Sequence, residues 1–179
     1  MPYIIPGILS LIQYIDFQKS NSEKLRLPQC PYCGKANPWC HGGYSRESDR
    51  LNPSSESLNP IFIQRYYCPD CGKTCSVLPE CIPPRRWYLW ETQQTAMLLL
   101  VLGGSARVAE QLVKPSRHTI KRWLAWLIAE FQLHKDVLCT HYSAFGLFTE
   151  PADFWNHVFN QLSLSTAMHI CHVAGVLIP

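Results

Sequence analysis

Two short cysteine motifs constrain this chain of 179 residues more than any other feature of its sequence. The segments C-P-Y-C-G-K at 30–35 and C-P-D-C-G-K at 68–73 are near copies of each other. Two thiolates separated by two residues can point into one tight turn, and the glycine that follows permits the left-handed backbone of that turn. Two such turns supply the full tetrahedral ligand set of a structural zinc ion. The spacing therefore predicts one structural Zn²⁺ bound by Cys30, Cys33, Cys68 and Cys71.

The chain around these motifs predicts a small antiparallel β zinc ribbon over residues 29–84. This region is rich in Cys, Pro, Gly and aromatic residues, and short strands are expected at 41–44, 61–67 and 74–78. Residues 45–60 are rich in Ser, Asn, Pro and Glu, which is typical of a surface loop. Protein ligands would occupy all four positions on the zinc and leave none for a substrate. The ribbon is therefore expected to be structural, and its metal affinity to contribute to folding.

The cysteine count indicates a reducing environment, whereas the cysteines outside the two motifs give only a weak indication of a second metal site. The chain has nine cysteines, and an odd number with four in C-x-x-C pairs favours metal binding over a disulfide framework. Four residues outside the motifs leave a second metal site open as an alternative, although simple burial of the cysteines is the plainer interpretation. These residues are Cys40, His41, Cys75 and Cys81. Packing or partner contact is likewise favoured over ligation for a second group in the tail, namely His169, Cys171 and His172.

The sequence pattern changes from turn-rich to helical at residue 85. Helices are expected at 87–102, 105–112, 116–133, 152–162 and 165–177, and a short amphipathic helix at 8–17. The predicted fold class is α+β, mainly α, with a zinc ribbon followed by a helix-turn-helix and C-terminal helices. The expected domains are an N-terminal helix and linker, the ribbon, a helix-turn-helix DNA-binding domain and a C-terminal packing or oligomerisation segment, at 1–28, 29–84, 85–135 and 136–179.

Residues 103–124 have the layout of a helix-turn-helix. Ser105 is expected to cap the first helix, and its inner face is expected to be Val108, Ala109 and Leu112. After a tight turn, Ser116 is expected to cap a second helix with a different inner face, formed by Ile120, Trp123, Leu124 and Leu127. Polar residues near the start of such a second helix meet base edges in the major groove, and lysine and arginine also bind phosphate.

The distribution of charge supports a polyanion site in the middle of the chain. The balance is +1 over residues 1–84, +5 over 85–135 and −3 over 136–179. The alternative is a basic helix that is merely solvated. On the first interpretation, the partner is double-stranded DNA and the predicted contacts are Arg85, Arg86, Arg107, Lys114, Ser116, Arg117, His118, Thr119, Lys121 and Arg122.

Taken together, these motifs resemble the N-terminal region of bacterial insertion-sequence transposases. The resemblance is carried by C-P-x-C-G-K, then R-Y-Y-C-P-D-C-G-K-T at 65–74, S-V-L-P at 76–79 and the helix-turn-helix, and it covers about residues 28–130. In that family, the ribbon and the helix-turn-helix recognise the terminal DNA of the element. The resemblance implies zinc on the four motif cysteines and DNA reading by four residues of the second helix, Arg117, His118, Lys121 and Arg122.

The sequence departs from that family after the helix-turn-helix. Such transposases continue into a ribonuclease-H-like domain, in which three separated carboxylates hold two metal ions. Here about fifty residues follow, with Glu150 and Asp153 as near neighbours. We therefore expect no catalysis and no catalytic residues in this chain, but a transposase-like DNA-recognition module or mobile-element regulator. The alternatives are a zinc-stabilised protein-interaction adaptor and an accessory subunit of a transposase that acts with another chain.

Location and further partners follow from the remaining sequence. The apolar run at 96–102 is far shorter than the roughly 20 residues that cross a bilayer, so a cytoplasmic, nucleoid-associated protein is expected. The tail at 140–179 combines an aromatic stripe with little charge and must pack on the helix-turn-helix or on another chain. A homodimer or another protein partner, bound through these C-terminal helices, is therefore a further prediction.

Overall fold

The computed structural model describes residues 2–20, 26–48, 58, 60–84, 88–176 and 178. The fold is α+β, and 51% of the described residues are helical, which confirms the predicted fold class. The chain divides into two compact units, Met1–Trp87 and Tyr88–Pro179. The N-terminal residues thus belong with the cysteine-rich sheet, and the tail belongs with the helix-turn-helix region. None of the described helices is long and apolar enough to cross a bilayer.

The first unit is built on a four-stranded sheet. Its strands are β1 (Tyr3–Ile5), β2 (Trp39–Arg46), β3 (Ile61–Tyr67) and β4 (Thr74–Pro79), in the order β1-β4-β3-β2. The neighbours β2, β3 and β4 are antiparallel, as the ribbon pattern predicts. β1 pairs in parallel with β4, so the sheet is mixed rather than antiparallel. The sequence predicts no strand before residue 29, because a three-residue strand is too short to show a periodic pattern.

A reciprocal cap sets the start of the N-terminal helix, α1 (Leu11–Ser20). The Ser10 hydroxyl accepts a hydrogen bond from the Gln13 N–H at 3.2 Å, and the Gln13 side-chain oxygen accepts one from the Ser10 N–H at 3.1 Å. This capping box explains why the helix begins at Leu11 rather than at residue 8 as predicted. Tyr14 of α1 is fully buried, and its hydroxyl donates to the Phe62 carbonyl at 3.0 Å. The helix is thereby attached to β3.

The second unit is helical. It contains α2 (Trp90–Val101), α3 (Ala106–Val113), α4 (Arg117–Ala129), α5 (Phe131–His141), a 3-10 helix (Ser143–Leu147), α6 (Pro151–Gln161) and α7 (Leu164–Val173). The single helix predicted over 116–133 is wrong at its C-terminal end. The chain breaks at Glu130, and α5 then continues to His141. The other predicted helices are present with ends shifted by a few residues.

The core of the second unit contains the aromatic stripe of the tail. Phe154, Trp155 and Val158 of α6 are fully buried, and Phe159 is 7% exposed. The Phe154 ring packs edge-on against Phe131 and Phe145, with centroids 5.2 and 5.9 Å away. Three residues of the face predicted for α4 are part of the same core: Ile120, Trp123 and Leu127. The stripe therefore packs inside the second unit.

Candidate metal centre and nucleic-acid interface

The thiols of the two cysteine motifs converge beside β3 and β4. The sulfur atoms of Cys30 and Cys71 are 3.8 Å apart, and those of Cys33 and Cys68 are 3.6 Å apart. All four sulfur atoms lie within 4.8 Å of one another. Cys30 and Cys68 are buried, whereas Cys33 is exposed and Cys71 is half-buried. Thiols from motifs that are far apart in sequence therefore form one cluster.

Each motif forms the tight turn that its sequence predicts. In the first turn, the Cys30 N–H donates to the Lys35 carbonyl at 2.8 Å, and the Gly34 N–H donates to the Cys30 carbonyl at 2.9 Å. The second turn repeats this pattern between Cys68, Gly72 and Lys73, with both bonds at 2.9 Å. The backbone φ angles are +72° at Gly34 and +65° at Gly72. Glycine is favoured at both positions because a side chain strains this conformation.

The spacing of the sulfur atoms fits a tetrahedral metal ion. With metal–sulfur bonds of about 2.3 Å, the edge of a regular tetrahedron is about 3.8 Å. The separations of 3.6 and 3.8 Å match that edge. The cluster could therefore hold one metal ion with four protein ligands. Four thiolates are soft ligands, and a site with four protein ligands leaves no position for a substrate, which is the pattern of a structural centre.

The other candidate ligands do not form a comparable group within the described part of the chain. Cys40 and His41 are exposed on β2. Cys75 is buried and Cys81 half-buried, and burial raises the pKa of these thiols to about 11 and about 12. Burial likewise raises the pKa of Cys171 to about 12. The neighbouring tail residues, His169 and His172, are half-buried on α7.

Helices α3 and α4 have the predicted helix-turn-helix layout, and both predicted caps are confirmed. The Ser105 hydroxyl accepts a hydrogen bond from the Val108 N–H at 3.2 Å. The Ser116 hydroxyl accepts one from the Thr119 N–H at 3.4 Å. Between the helices, Lys114 ends α3 in the left-handed conformation, with a φ of +67°. The turn therefore takes the chain directly from one capped helix to the next.

The predicted DNA-contacting residues of α4 share an exposed surface. We define the α4 basic surface by four exposed side chains: Arg117, His118, Lys121 and Arg122. Thr119 is half-buried, and three further predicted contacts are exposed beside α4 or on α3: Arg107, Lys114 and Ser116. The sequence of α4 contains no acidic residue. The remaining two predicted contacts, Arg85 and Arg86, lie outside the described residues.

The face of α3 that contacts the core differs from the prediction. Ala109 is fully buried and Val113 is 9% exposed, whereas Val108 and Leu112 are 46% and 64% exposed. The small side chain of Ala109 allows a close approach along the line through positions 109 and 113. Positions 108 and 112 are rotated by about one hundred degrees around the helix axis from positions 109 and 113, and they remain at the edge of this contact. The predicted inner face is therefore wrong for Val108 and Leu112.

An acidic residue that no sequence pattern indicates lies beside the α4 basic surface. The Glu110 carboxylate accepts a hydrogen bond from the backbone N–H of Arg117 at 3.0 Å. The two residues lie on different helices on either side of a turn, so the periodicity of a single helix does not connect them. Elsewhere in the unit, Glu150 precedes α6 and Asp153 lies in its first turn, both exposed. A carboxylate in the first turn stabilises a helix, which accounts for Asp153 without a catalytic role.

Comparison with known proteins places these features in one family. The sequence model of the family described as "Domain of unknown function (DUF6431)" matches residues 30–123. No curated protein and no solved structure matches the chain. The matched segment begins at the first cysteine of the cluster and ends at Trp123 within α4, and it covers just over half of the chain. The chain therefore belongs to the DUF6431 family.

Proposed function

We propose that this protein is a zinc-dependent DNA-binding protein, in which α4 reads duplex DNA and the cysteine cluster holds one structural Zn²⁺. The observation that carries the proposal is the α4 basic surface. Its four side chains are exposed on a capped helix that has no acidic residue. The opposite side of α4 is fixed by Ile120 and Trp123, which are 0% and 5% exposed. A rigid helix with cations near its N-terminus suits insertion into a major groove.

The residues of this surface divide by chemistry. Arg117, Lys121 and Arg122 provide cations for phosphate oxygens or for the acceptor atoms of guanine, and His118 adds a further donor. Ser116 and Thr119 are short hydrogen-bonding residues near the same helix end. Arg107 and Lys114 extend the positive charge onto α3 and the turn. Phosphate contacts would supply most of the affinity, and contacts to base edges would supply sequence preference.

Zinc is the metal that best suits the cluster. Four thiolates with tetrahedral spacing favour a soft ion, and zinc has no geometric preference that this arrangement would violate. None of the nine cysteines forms a disulfide, which suits the reducing cytoplasm of a bacterium, where a DNA-binding protein would associate with the nucleoid. In this proposal, the ion organises the ribbon, and its binding energy becomes folding energy.

The resemblance to insertion-sequence transposases supports a role in a mobile element, as a recognition module or regulator. The proposal assigns no cleavage step to this chain, because Glu150 and Asp153 are exposed near neighbours at the start of α6 rather than members of a set of three separated carboxylates. A divalent-metal-dependent nicking assay tests this point. Nicking that is lost on Glu150→Ala or Asp153→Ala would favour an accessory subunit of a transposase instead.

The decisive experiment is selection of duplex DNA from a random pool by the zinc-loaded protein, at two salt concentrations. We expect an enriched motif and an affinity that falls steeply as salt rises. Arg117→Ala and Lys121→Ala should each weaken binding without loss of zinc, and each should reduce the salt slope by about 1. Lys19→Ala, at an exposed lysine in the last turn of α1, is the matched control. Weak, featureless binding that these variants do not change would contradict the proposal.

One observation favours a second candidate, a protein-interaction adaptor. Val108 and Leu112 are exposed, lie four residues apart and therefore share one side of α3. Phe154 and Trp155 of the aromatic stripe in the tail are fully buried and are therefore unsuited to be an adaptor surface. If no DNA motif is enriched, Val108→Ser and Leu112→Ser test whether a partner binds α3. A homodimer stays part of the DNA-binding proposal, and a symmetric selected motif together with the mass in solution tests it.

A further inference from the structure

The sheet of the first unit carries an aromatic surface that duplex reading by α4 does not use. Trp39 is 63% exposed on β2, and His41 is exposed two positions further along the same strand. Tyr67 of β3 is the register partner of Trp39 and is half-buried. The His41 and Tyr67 rings are tilted by 40°, with centroids 5.8 Å apart. His41 and Tyr67 thus form a ring pair, and Trp39 lies directly across from Tyr67 on the neighbouring strand.

A guanidinium and two hydroxyls share the face of these rings. Side chains of cross-strand partners lie on the same face of a sheet, and Tyr67 pairs with Thr74 while Arg65 pairs with Ser76. The Arg65 Nη2 donates to the Thr74 hydroxyl at 3.2 Å, which holds the cation beside the rings. We call the four residues Trp39, His41, Arg65 and Tyr67 the aromatic face.

At the end of these strands next to the cysteine cluster, the opposite side is core and the aromatic face is the open side. Tyr66 and its partner Cys75 are 5% and 4% exposed, and they pack with Leu27 and Val77. Single exposed apolar residues are normal on a protein surface, but a group of rings beside a cation indicates a binding site. The ligand should therefore offer both a flat π surface and negative charge.

The charge of the sheet favours nucleic acid over a protein partner. Strands β2, β3 and β4 contain Arg46 and Arg65 and no Asp or Glu. Unpaired nucleic acid carries bases that stack on aromatic rings and phosphates that attract arginine, whereas the stacked bases of a duplex are inaccessible to such a platform. We propose that the aromatic face binds single-stranded DNA, with bases stacked on Trp39 and Tyr67 and the backbone near Arg65. The choice of DNA over RNA rests on the proposed function.

The metal cluster determines where the rings stand. Tyr67 directly precedes Cys68, and Thr74 directly follows the second cysteine turn. A metal ion that fixes that turn therefore also fixes the ends of β3 and β4. Removal of the metal should therefore weaken single-strand binding, although the four predicted ligands are all cysteines.

The test is fluorescence anisotropy of the zinc-loaded protein with labelled single-stranded oligo-dT and with the selected duplex. Stacking on one aromatic side chain contributes about 1–3 kcal/mol per base, so Trp39→Ala should weaken single-strand binding about tenfold. Trp39→Phe should retain most of the affinity. Phe62→Ala is the matched control, because Phe62 is 46% exposed on the other side of β3. Zinc content and circular dichroism of each variant establish that the fold is intact.

Single-strand binding by the aromatic face and duplex binding by α4 can be tested independently. Loss of single-strand binding on Trp39→Ala, with duplex binding retained and Phe62→Ala unchanged, would support the aromatic face whatever the fate of the α4 proposal. Loss of duplex binding on Lys121→Ala should leave single-strand binding intact. The inference is overturned if the folded wild-type protein does not bind oligo-dT, if Phe62→Ala weakens binding as much as Trp39→Ala, or if oligo-U binds more tightly than oligo-dT.

Discussion

The Glu110 carboxylate accepts a hydrogen bond from the backbone N–H of Arg117 at 3.0 Å, and so places a negative charge at the first turn of α4. The N-terminus of a helix carries a partial positive charge and free N–H groups, which suit a phosphate oxygen equally well. Glu110 therefore occupies a position that a DNA phosphate would favour. In the proposed function, this carboxylate competes with the ligand.

We expect Glu110→Gln to increase duplex affinity about fivefold, or about 1 kcal/mol, because it removes a negative charge from the α4 basic surface. The amide oxygen can still accept from the Arg117 N–H, so the turn between the helices should persist. Anisotropy titrations at two salt concentrations measure the effect, which should be smaller at high salt.

Glu91→Gln is the control for this change, since Glu91 is an exposed carboxylate in the first turn of α2. It should leave duplex affinity unchanged. A weaker complex on Glu110→Gln, with Glu91→Gln neutral, would show that the carboxylate positions α4 for binding rather than competing with phosphate.

Substitution of two exposed cysteines, one inside the metal cluster and one outside it, tests which thiols bind the metal. Cys33→Ser should abolish zinc binding and destabilise the sheet, because three thiolates leave the tetrahedral site incomplete and metal binding is coupled to folding. Cys40→Ser should change neither, since Cys40 lies on β2 outside the cluster. Metal analysis by mass spectrometry gives the stoichiometry, and hydrogen exchange of β3 and β4 reports the fold. A stably folded sheet in zinc-free Cys33→Ser would show that the metal is dispensable.

Local chemistry explains which parts of the site the sequence predicts. The cysteine turns are specified by spacing and by glycines that must adopt positive φ, so Cys30 and Cys68 are readily found. Ser105 and Ser116 are recognisable caps because their hydroxyls act within three residues. The bond between Glu110 and Arg117 depends instead on how two helices meet, and no short-range pattern encodes it.

The same limit applies to the fold. The division at Glu130 between α4 and α5 has neither glycine nor proline to mark it, so residues 116–133 look like one continuous helix. β1 has three residues, and its pairing with β4 joins positions more than seventy residues apart. The apolar residues of α3 likewise show no local pattern that distinguishes the core side from the exposed side. The predicted inner face of α3 is therefore wrong for Val108. Tertiary contacts decide all three cases.

Lys114 stores a small strain that glycine would release. Its φ of +67° lies in the left-handed region, and its N–H donates to the Glu110 carbonyl at 3.0 Å to close α3. A left-handed non-glycine residue costs about 1–2 kcal/mol, part of which glycine loses again to the entropy of the unfolded chain. Lys114→Gly should therefore raise the free energy of unfolding by about 0.5–1 kcal/mol while weakening duplex binding.

Lys114→Ala is the comparison, because it removes the same charge and keeps the strained backbone. It should weaken duplex binding as much as Lys114→Gly without the gain in stability, as measured by urea unfolding and anisotropy. Equal stability of the two variants would mean that the turn relaxes around a side chain. Unchanged duplex affinity in both would remove Lys114 from the proposed DNA contacts.

His134 makes the stability of the second unit sensitive to pH. Its side chain is fully buried, with ring centroids 5.0 Å from Trp126 and 5.6 Å from Trp155. Neither ring nitrogen has a hydrogen-bond partner among the described residues, and burial lowers the pKa of His134 to about 4. The pKa of histidine in the unfolded chain is near 6.5. Between this pH and about pH 4, the unfolded chain therefore binds a proton at His134 that the folded chain excludes. Stability is therefore present above pH 6.5 and falls as pH decreases toward 4.

Urea unfolding at pH 7 and pH 5 measures this effect, which should cost the wild-type protein about 2 kcal/mol at the lower pH. His134→Phe preserves a flat ring between the two tryptophans and should remove most of the loss. Some loss should remain, because burial and the nearby His169 also lower the pKa of His172. His141→Phe, at an exposed histidine of the same helix, should behave like the wild type. If His134→Phe lost as much stability at pH 5 as the wild type, protonation of His134 would not be what destabilises the fold.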